Sequence, residues 1–250
     1  MNPAIGILVI GTEILLGKRE DRHFVRSRQQ LRDRGYEAAW CLILPDRREE
    51  MVQQLRWAFH QDSPFFSFGG LGTTPDDLTR GCAAEAAGVP LVRHAYAEKL
   101  IREHFGSEAE PVRIRMADLP ETSTTIPNPI NQVPGFQLEN GFFFPGFPEM
   151  AAPMATWVLE QHFPRREIPS QGRILLDGVR ESQLVNLMEN FCTSHPAVEF
   201  SSLPSMKNDT YQVELGLRGM PGVLLPAWAD LLAGLEDCGY FPGILESPSF

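Results

Sequence analysis

FSFGGLGTTPDDLTR, Phe66–Arg80, is the stretch on which the reading of this chain turns. A short apolar run leads into Gly69, Gly70 and Gly72, then into Thr74-Pro75-Asp76-Asp77. Glycines between a strand and a helix strip away side chains where something must approach the backbone. At the carboxyl end of a strand, with a helix N-terminus beyond it, an anion finds free N–H groups and the positive end of a helix dipole. Two aspartates beside an anion pose a charge problem. One answer is structural. Thr74 as N-cap, Pro75 at N1 and Asp77 at N3 read as a capping box that starts a helix over 75–87. The other answer is chemical: a divalent cation lies between carboxylate and phosphate. The two are compatible if one aspartate caps while the other points outward.

The common nucleotide cradles do not fit. G-x-G-x-x-G needs a third glycine where this chain has Pro75. The nearest match to the P-loop, GTEILLGKR at Gly11–Arg19, has five residues between its glycines, and Arg19 stands at the hydroxyl position.

Working outward, the apolar run over 5–10 reads as a strand buried on both faces and ended by Gly11. A helix over 24–34, a strand over 38–44, a helix over 48–60 and a strand over 65–68 follow. Strand alternating with helix predicts a doubly wound, mostly parallel sheet. Further on, 97–105 reads as a helix and 123–126 as a strand. The Pro- and Asn-rich stretch 126–136 reads as irregular. A hairpin spans 137–144 with its turn at Asn140-Gly141, and a helix covers 149–162. Residues 164–172, polar with proline and glycine, read as a linker between a domain over 1–163 and a small one over 173–250. The small one reads β-α-β-β-α with a last strand near 240–245, a ferredoxin-like α+β arrangement.

The bulk numbers limit the functions available. The chain has 250 residues, 43% of them hydrophobic, and a formal net charge of −10. So acidic a protein has no broad attraction for nucleic acid or anionic membrane. GLRG, Gly216–Gly219, matches the G-x-x-G of a nucleic-acid clamp. Between 173 and 250, however, four basic residues face ten acidic ones, which argues against nucleic-acid binding. Cys41, Cys82, Cys192 and Cys238 have neither zinc nor disulfide spacing and read as buried or inert thiols of a reducing compartment. The N-terminus reads as a first strand rather than a signal peptide, and no apolar run reaches the ~18 residues of a membrane span. The expected location is cytoplasmic.

GTEILLG, GGLGTTPDDLT, an N-P pair and PGFPEM, in this order, resemble the molybdopterin-binding domain of molybdenum-cofactor biosynthesis proteins. The N-terminal region of competence/damage-inducible protein A, the CinA family, is the subgroup most similar over residues 5–162. The resemblance implies a three-layer α/β/α domain that binds a phosphorylated pterin or nucleotide with Mg²⁺. It also implies a KH-like segment after the linker and a homo-oligomer, a dimer or trimer. The chain is expected to lack the nicotinamide-deamidase domain of longer relatives. The CinA branch adds an alternative, Mg²⁺-dependent pyrophosphatase action on ADP-ribose or FAD. A second alternative is a ligand-binding module without chemistry.

Carried onto this sequence, the resemblance makes Gly69, Gly70, Gly72 and Thr73 the phosphate loop. Asp77 and Thr79 match D-x-T after it, and Asp46 matches an acid after the second strand. Gly11, Thr12 and Glu13 follow the first strand, and Asn128 and Pro129 form the N-P pair. Pro145, Gly146 and Pro148 match PGxP. Asp77 and Asp46 are the expected Mg²⁺ ligands, with Glu13 either a general base, a supporting group or only a first-turn acid. Thr73 stands where most relatives carry proline. KREDRH, 18–23, and Asn131-Gln132-Val133 also depart from the pattern. Lys18, Arg19, Arg22 and His23 are the expected cationic wall.

Overall fold

The computed structural model describes residues 4–248. Two compact units divide the chain, the first ending at Arg166 and the second beginning at Glu167.

In the first unit, β1 (Ala4–Ile10) leads through the single-turn α1 (Thr12–Leu15) to α2 (His23–Arg32). Asp21 starts α2 by accepting from the amides of His23 and Phe24 at 2.8 and 3.0 Å. The chain continues with β2 (Glu37–Leu44), α3 (Arg48–Phe59), β3 (Phe65–Phe68) and α4 (Thr79–Ala87). Next come β4 (Leu91–Arg93), α5 (Ala95–Phe105), β5 (Asp118–Pro120), β6 (Thr124–Ile126), β7 (Gly135–Leu138), β8 (Gly141–Phe144) and α6 (Pro148–His162). The main sheet runs β2-β1-β3-β8-β7-β6. β2, β1, β3 and β8 are parallel, and β7 and β6 add an antiparallel edge. β4 and β5 form a separate two-stranded ladder that the sequence reading did not anticipate.

Alternation along the buried strands builds three layers. Leu8, Phe65 and Phe143 pack with Met51, Leu55, Cys82 and Ile101 on one face. Ile7, Phe66, Phe68, Phe142 and Phe144 pack with Leu31, Met154 and Val158 on the other. The expected α/β/α domain, with its mostly parallel sheet, is the one observed.

Two local expectations change. α4 begins at Thr79, not at 75, and its N-cap, Leu78, makes no side-chain cap. Thr74–Asp77 instead closes its own turn, Asp77 N–H donating to Thr74 O at 3.0 Å. The β7–β8 turn is Glu139-Asn140, because Leu138 already pairs with Gly141. Gly141 belongs to the strand for a packing reason: a Cβ there would lie 2.5 Å from the Phe65 ring. Of the cysteines only Cys82 is buried, and burial pushes its thiol pKa up; the other three are exposed.

The second unit runs β9 (Ser170–Asp177), α7 (Val185–Ser194), β10 (Glu199–Lys207), β11 (Thr210–Gly219), α8 (Pro221–Asp237) and β12 (Gly243–Glu246). Its antiparallel sheet has the ferredoxin-like order β10-β11-β9-β12. β9 starts inside the stretch that reads as linker, since Ser170, Gln171 and Gly172 pair with Gly219, Arg218 and Leu217. Gly172 leaves room for Trp228, whose ring would lie 2.6 Å from a Cβ. GLRG is part of β11 and stands in ladder register, so it is not a clamp loop.

Candidate functional site

The loops after β1, β2, β3 and β8 open on one cleft of about 740 Å³ at the carboxyl ends of the parallel strands. This is where a doubly wound sheet binds ligands. The glycines at its base are fixed first by the fold. Gly69 and Gly70 have φ of 108° and 68°, which side chains rarely adopt. A Cβ at Gly69 would lie 2.3 Å from Ile10 O, and one at Gly70 2.2 Å from Thr79 Oγ1. Gly146 brings the loop after β8 against Gly69 Cα, 3.3 Å from where a Cβ would stand. Gly72 differs: a Cβ there would meet the Asp77 carboxylate at 2.4 Å.

The carbonyls of this loop are all held from behind. Thr79, fully buried, donates from Oγ1 to Gly69 O at 2.8 Å and from its amide to Gly70 O at 3.2 Å. Arg80, 8% exposed, donates to Leu71 O at 3.2 Å and Gly72 O at 2.7 Å. Among the described residues, the amides of Gly70, Leu71, Gly72 and Thr73 have no protein acceptor. Four consecutive acceptors are consumed and four consecutive donors are left. Successive unpaired amides in a turn make an anion-binding concavity. No carboxylate among the described residues lies within ion-pair distance of Arg80. Burial draws its pKa down, with Asp77 and Asp118 opposing, and a guanidinium stays charged regardless.

Asp77 Oδ2 accepts from Thr74 N–H at 2.8 Å and lies 2.6 Å from Thr74 Oγ1. The same hydroxyl lies 2.5 Å from Asp76 Oδ1 and holds that carboxyl below its usual pKa. One hydroxyl proton serves only one of the two at a time. Asp46 and Thr12 bond reciprocally: Thr12 N–H donates to Asp46 Oδ2 at 2.7 Å, and Asp46 N–H donates to Thr12 Oγ1 at 2.9 Å. In both aspartates the second oxygen makes no bond among the described residues. No group of three or more His, Cys, Asp or Glu converges among those residues. A cation here would therefore take one or two carboxylates and complete its shell with ligand oxygens, which is the habit of Mg²⁺.

Of the sequence-predicted residues, Gly11, Glu13, Asp46, Gly69, Gly70, Gly72, Thr73, Asp77, Asn128, Pro145 and Gly146 line the cleft. Thr12 and Thr79 support it through hydrogen bonds. Pro129 lies on a separate surface hollow, and Pro148 on an adjoining lobe of about 490 Å³. The expected cationic wall is only partly built. Arg19 faces the cleft and the lobe, Arg22 the lobe alone, and Lys18 neither. His23 is buried, stacked on Phe68 with ring centroids 4.6 Å apart, and bonded through Nε2 to Gly146 O at 3.2 Å. Burial pulls its pKa below the ordinary value, the Gly146 bond opposing, so the ring is neutral at pH 7. Arg80 escaped the sequence reading; its one trace is a cation directly after the buried threonine.

A three-layer α/β/α domain with a glycine loop of free amides at its strand ends has the form of a ligand-binding domain. The chain belongs to the probable molybdopterin binding domain family, which matches residues 6–165. It is 28% identical over 212 residues to a protein of Pyrobaculum calidifontis, the match covering 81% of each chain. With a CinA-like protein of Gloeobacter violaceus it shares 29% identity over an alignment of 265 residues, covering all of this chain and 62% of that one. Among solved structures, the protein CinA with unknown function from Thermoplasma acidophilum matches with a TM-score of 0.58 and 25% identity. That match covers 63% of this chain and 97% of the other.

Proposed function

We propose that the cleft binds a phosphorylated pterin or nucleotide together with Mg²⁺. The observation that carries this is the loop in which Thr79 and Arg80 take every carbonyl from Gly69 to Gly72 and leave four amides free. Phosphate oxygens accept from those amides. The open oxygens of Asp77 and Asp46 would hold Mg²⁺, whose charge would offset the repulsion between carboxylate and phosphate. When bound, the metal neutralises charge at the phosphorus centres. Calorimetric titration with AMP and with ADP-ribose, with and without Mg²⁺, tests this. Metal-dependent binding that weakens in Asp77→Asn is expected. No binding, or binding indifferent to that substitution, overturns it.

A second reading follows from Glu13, which lines the cleft and whose carboxylate has no hydrogen-bond or ion-pair partner among the described residues. A carboxylate so placed can take the proton of a water that attacks a phosphoanhydride, the bond to the leaving phosphate oxygen breaking as the new P–O bond forms. The substrate is then an ADP-ribose- or FAD-type diester of pyrophosphate. AMP released from ADP-ribose in the presence of Mg²⁺ supports hydrolysis; stable binding without turnover supports a ligand-binding module.

A further inference from the structure

PGFP, 145–148, ends β8 and opens α6, and the roles proposed so far leave its phenylalanine unused. Phe147 is 60% exposed and makes no ring contact with another aromatic among the described residues. A single exposed phenyl means little by itself. Its position does more. Phe147 lines both the main cleft and the adjoining lobe, which also share Glu13, Ile14, Arg19, His23 and Gly146 as walls. Its backbone is fixed on both sides. Gly146 abuts Gly69 and is bonded to buried His23, while Phe147 O accepts from the amides of Met150 and Ala151 at 2.9 Å. The backbone that carries the ring thus stands at a set place beside the glycine loop. Ile14 adds an apolar neighbour, and Glu13 and Arg19 supply an acceptor and donors at its margin.

We infer, resting on the ligand class proposed above, that Phe147 is the platform on which the ligand's planar nitrogen heterocycle stacks. The lobe takes the ring while the glycine loop takes its phosphate. Every pterin or nucleobase has a π-face, so such a platform gives affinity without choosing among rings. Choice among them falls to the polar margin. Purine and pterin share this chemistry.

The test uses the full chain with four probes: inorganic pyrophosphate, AMP, GMP and neopterin phosphate. Phe147→Ala is expected to weaken the ring-bearing probes about 10-fold or more, the size of a stacked base, and to leave pyrophosphate unchanged. Phe147→Tyr is expected to keep the affinity. Phe147→Leu, which retains apolar area without a π-face, is expected to lose most of it. Either ring source supports the inference, and the tighter arm identifies which ring is read. Unchanged affinity for all three ring-bearing probes in Phe147→Ala overturns it, as does full retention in Phe147→Leu or an equal loss of pyrophosphate. A wild-type protein that binds pyrophosphate but gains nothing from a ring overturns the platform alone. One that binds none of the four overturns the proposed ligand class and the platform with it.

Discussion

Arg80 Nη2 donates to Gly72 O at 2.7 Å from a position almost closed to solvent. A buried guanidinium bonded to carbonyls rather than to a carboxylate is held in place by the loop and holds the loop in return. Removing it leaves the buried Leu71 carbonyl without its donor, at a cost of about 1–3 kcal/mol, and the part-buried Gly72 carbonyl at a smaller one of about 1 kcal/mol. Arg80→Met is therefore expected to lower the unfolding free energy by roughly 2–4 kcal/mol. Its pyrophosphate affinity falls by at least about an order of magnitude as the carbonyls swing free. Arg80→Lys keeps the charge, reaches one carbonyl at best, and falls between. Urea unfolding and calorimetry measure the two effects separately.

Thr79 and Gly70 form the other half of this clamp. Thr79→Val keeps the shape and loses the bond to Gly69 O, so a destabilisation of about 1–2 kcal/mol is expected. Gly70→Ala combines a left-handed backbone with a Cβ 2.2 Å from Thr79 Oγ1. Both the backbone and the contact are strained, and a loss above ~2 kcal/mol is expected in the same unfolding experiment. If Gly70→Ala were as stable as wild type, the loop geometry described above would be wrong.

The layered architecture was legible because its signals are local and repeated. The apolar runs of β1 and β3, and the glycines that end α2 and α4, carry strand and helix bounds in themselves. The β-α-β-β-α-β order of the second unit was legible for the same reason. What failed was single-residue chemistry decided by distant partners. Thr74-Pro75-Asp76-Asp77 has the letters of a capping box, yet the buried Thr79 bonds draw the helix start five residues onward from Thr74. His23 reads as a cation in a basic run until Phe68 and Gly146, far along the chain, enclose it. Arg80 went unassigned because nothing nearby in sequence announces that its partners are carbonyls. Asp46 and Asp77 do line the cleft, but their hydrogen bonds to Thr12 and Thr74 were not legible in the sequence.

Asp77 and Gly72 give a prediction that separates fold from chemistry. Asp77→Asn retains a carbonyl oxygen for the Thr74 amide and removes the charge, so it is expected to change stability little and to weaken Mg²⁺-dependent binding. Gly72→Ala has no left-handed backbone to strain. Its new methyl group would meet only the end of the Asp77 side chain, at 2.4 Å, which can swing aside. The variant is expected to fold within about 1 kcal/mol of wild type and to bind phosphate probes with a weakened metal dependence. Equal Mg²⁺ dependence in wild type and both variants would remove Asp77 from the metal site.

Burial of His23 ties the stability of the fold to pH. Burial lowers its folded-state pKa, while Asp21 and Glu149 pull it up and Arg26 pushes it down. The unfolded chain therefore takes up a proton first, near the ordinary imidazole pKa of about 6.5. Stability from this residue is complete above that pH. It declines as pH falls through the unfolded value toward the lower folded one, because protons bind preferentially to the unfolded state. His23→Asn keeps a donor for Gly146 O and cannot titrate. Thermal unfolding between pH 7.5 and 5 is expected to show a steeper fall for wild type than for His23→Asn, with the largest difference below about pH 6.5. Parallel profiles would mean that the His23 ring charges in place without leaving Phe68.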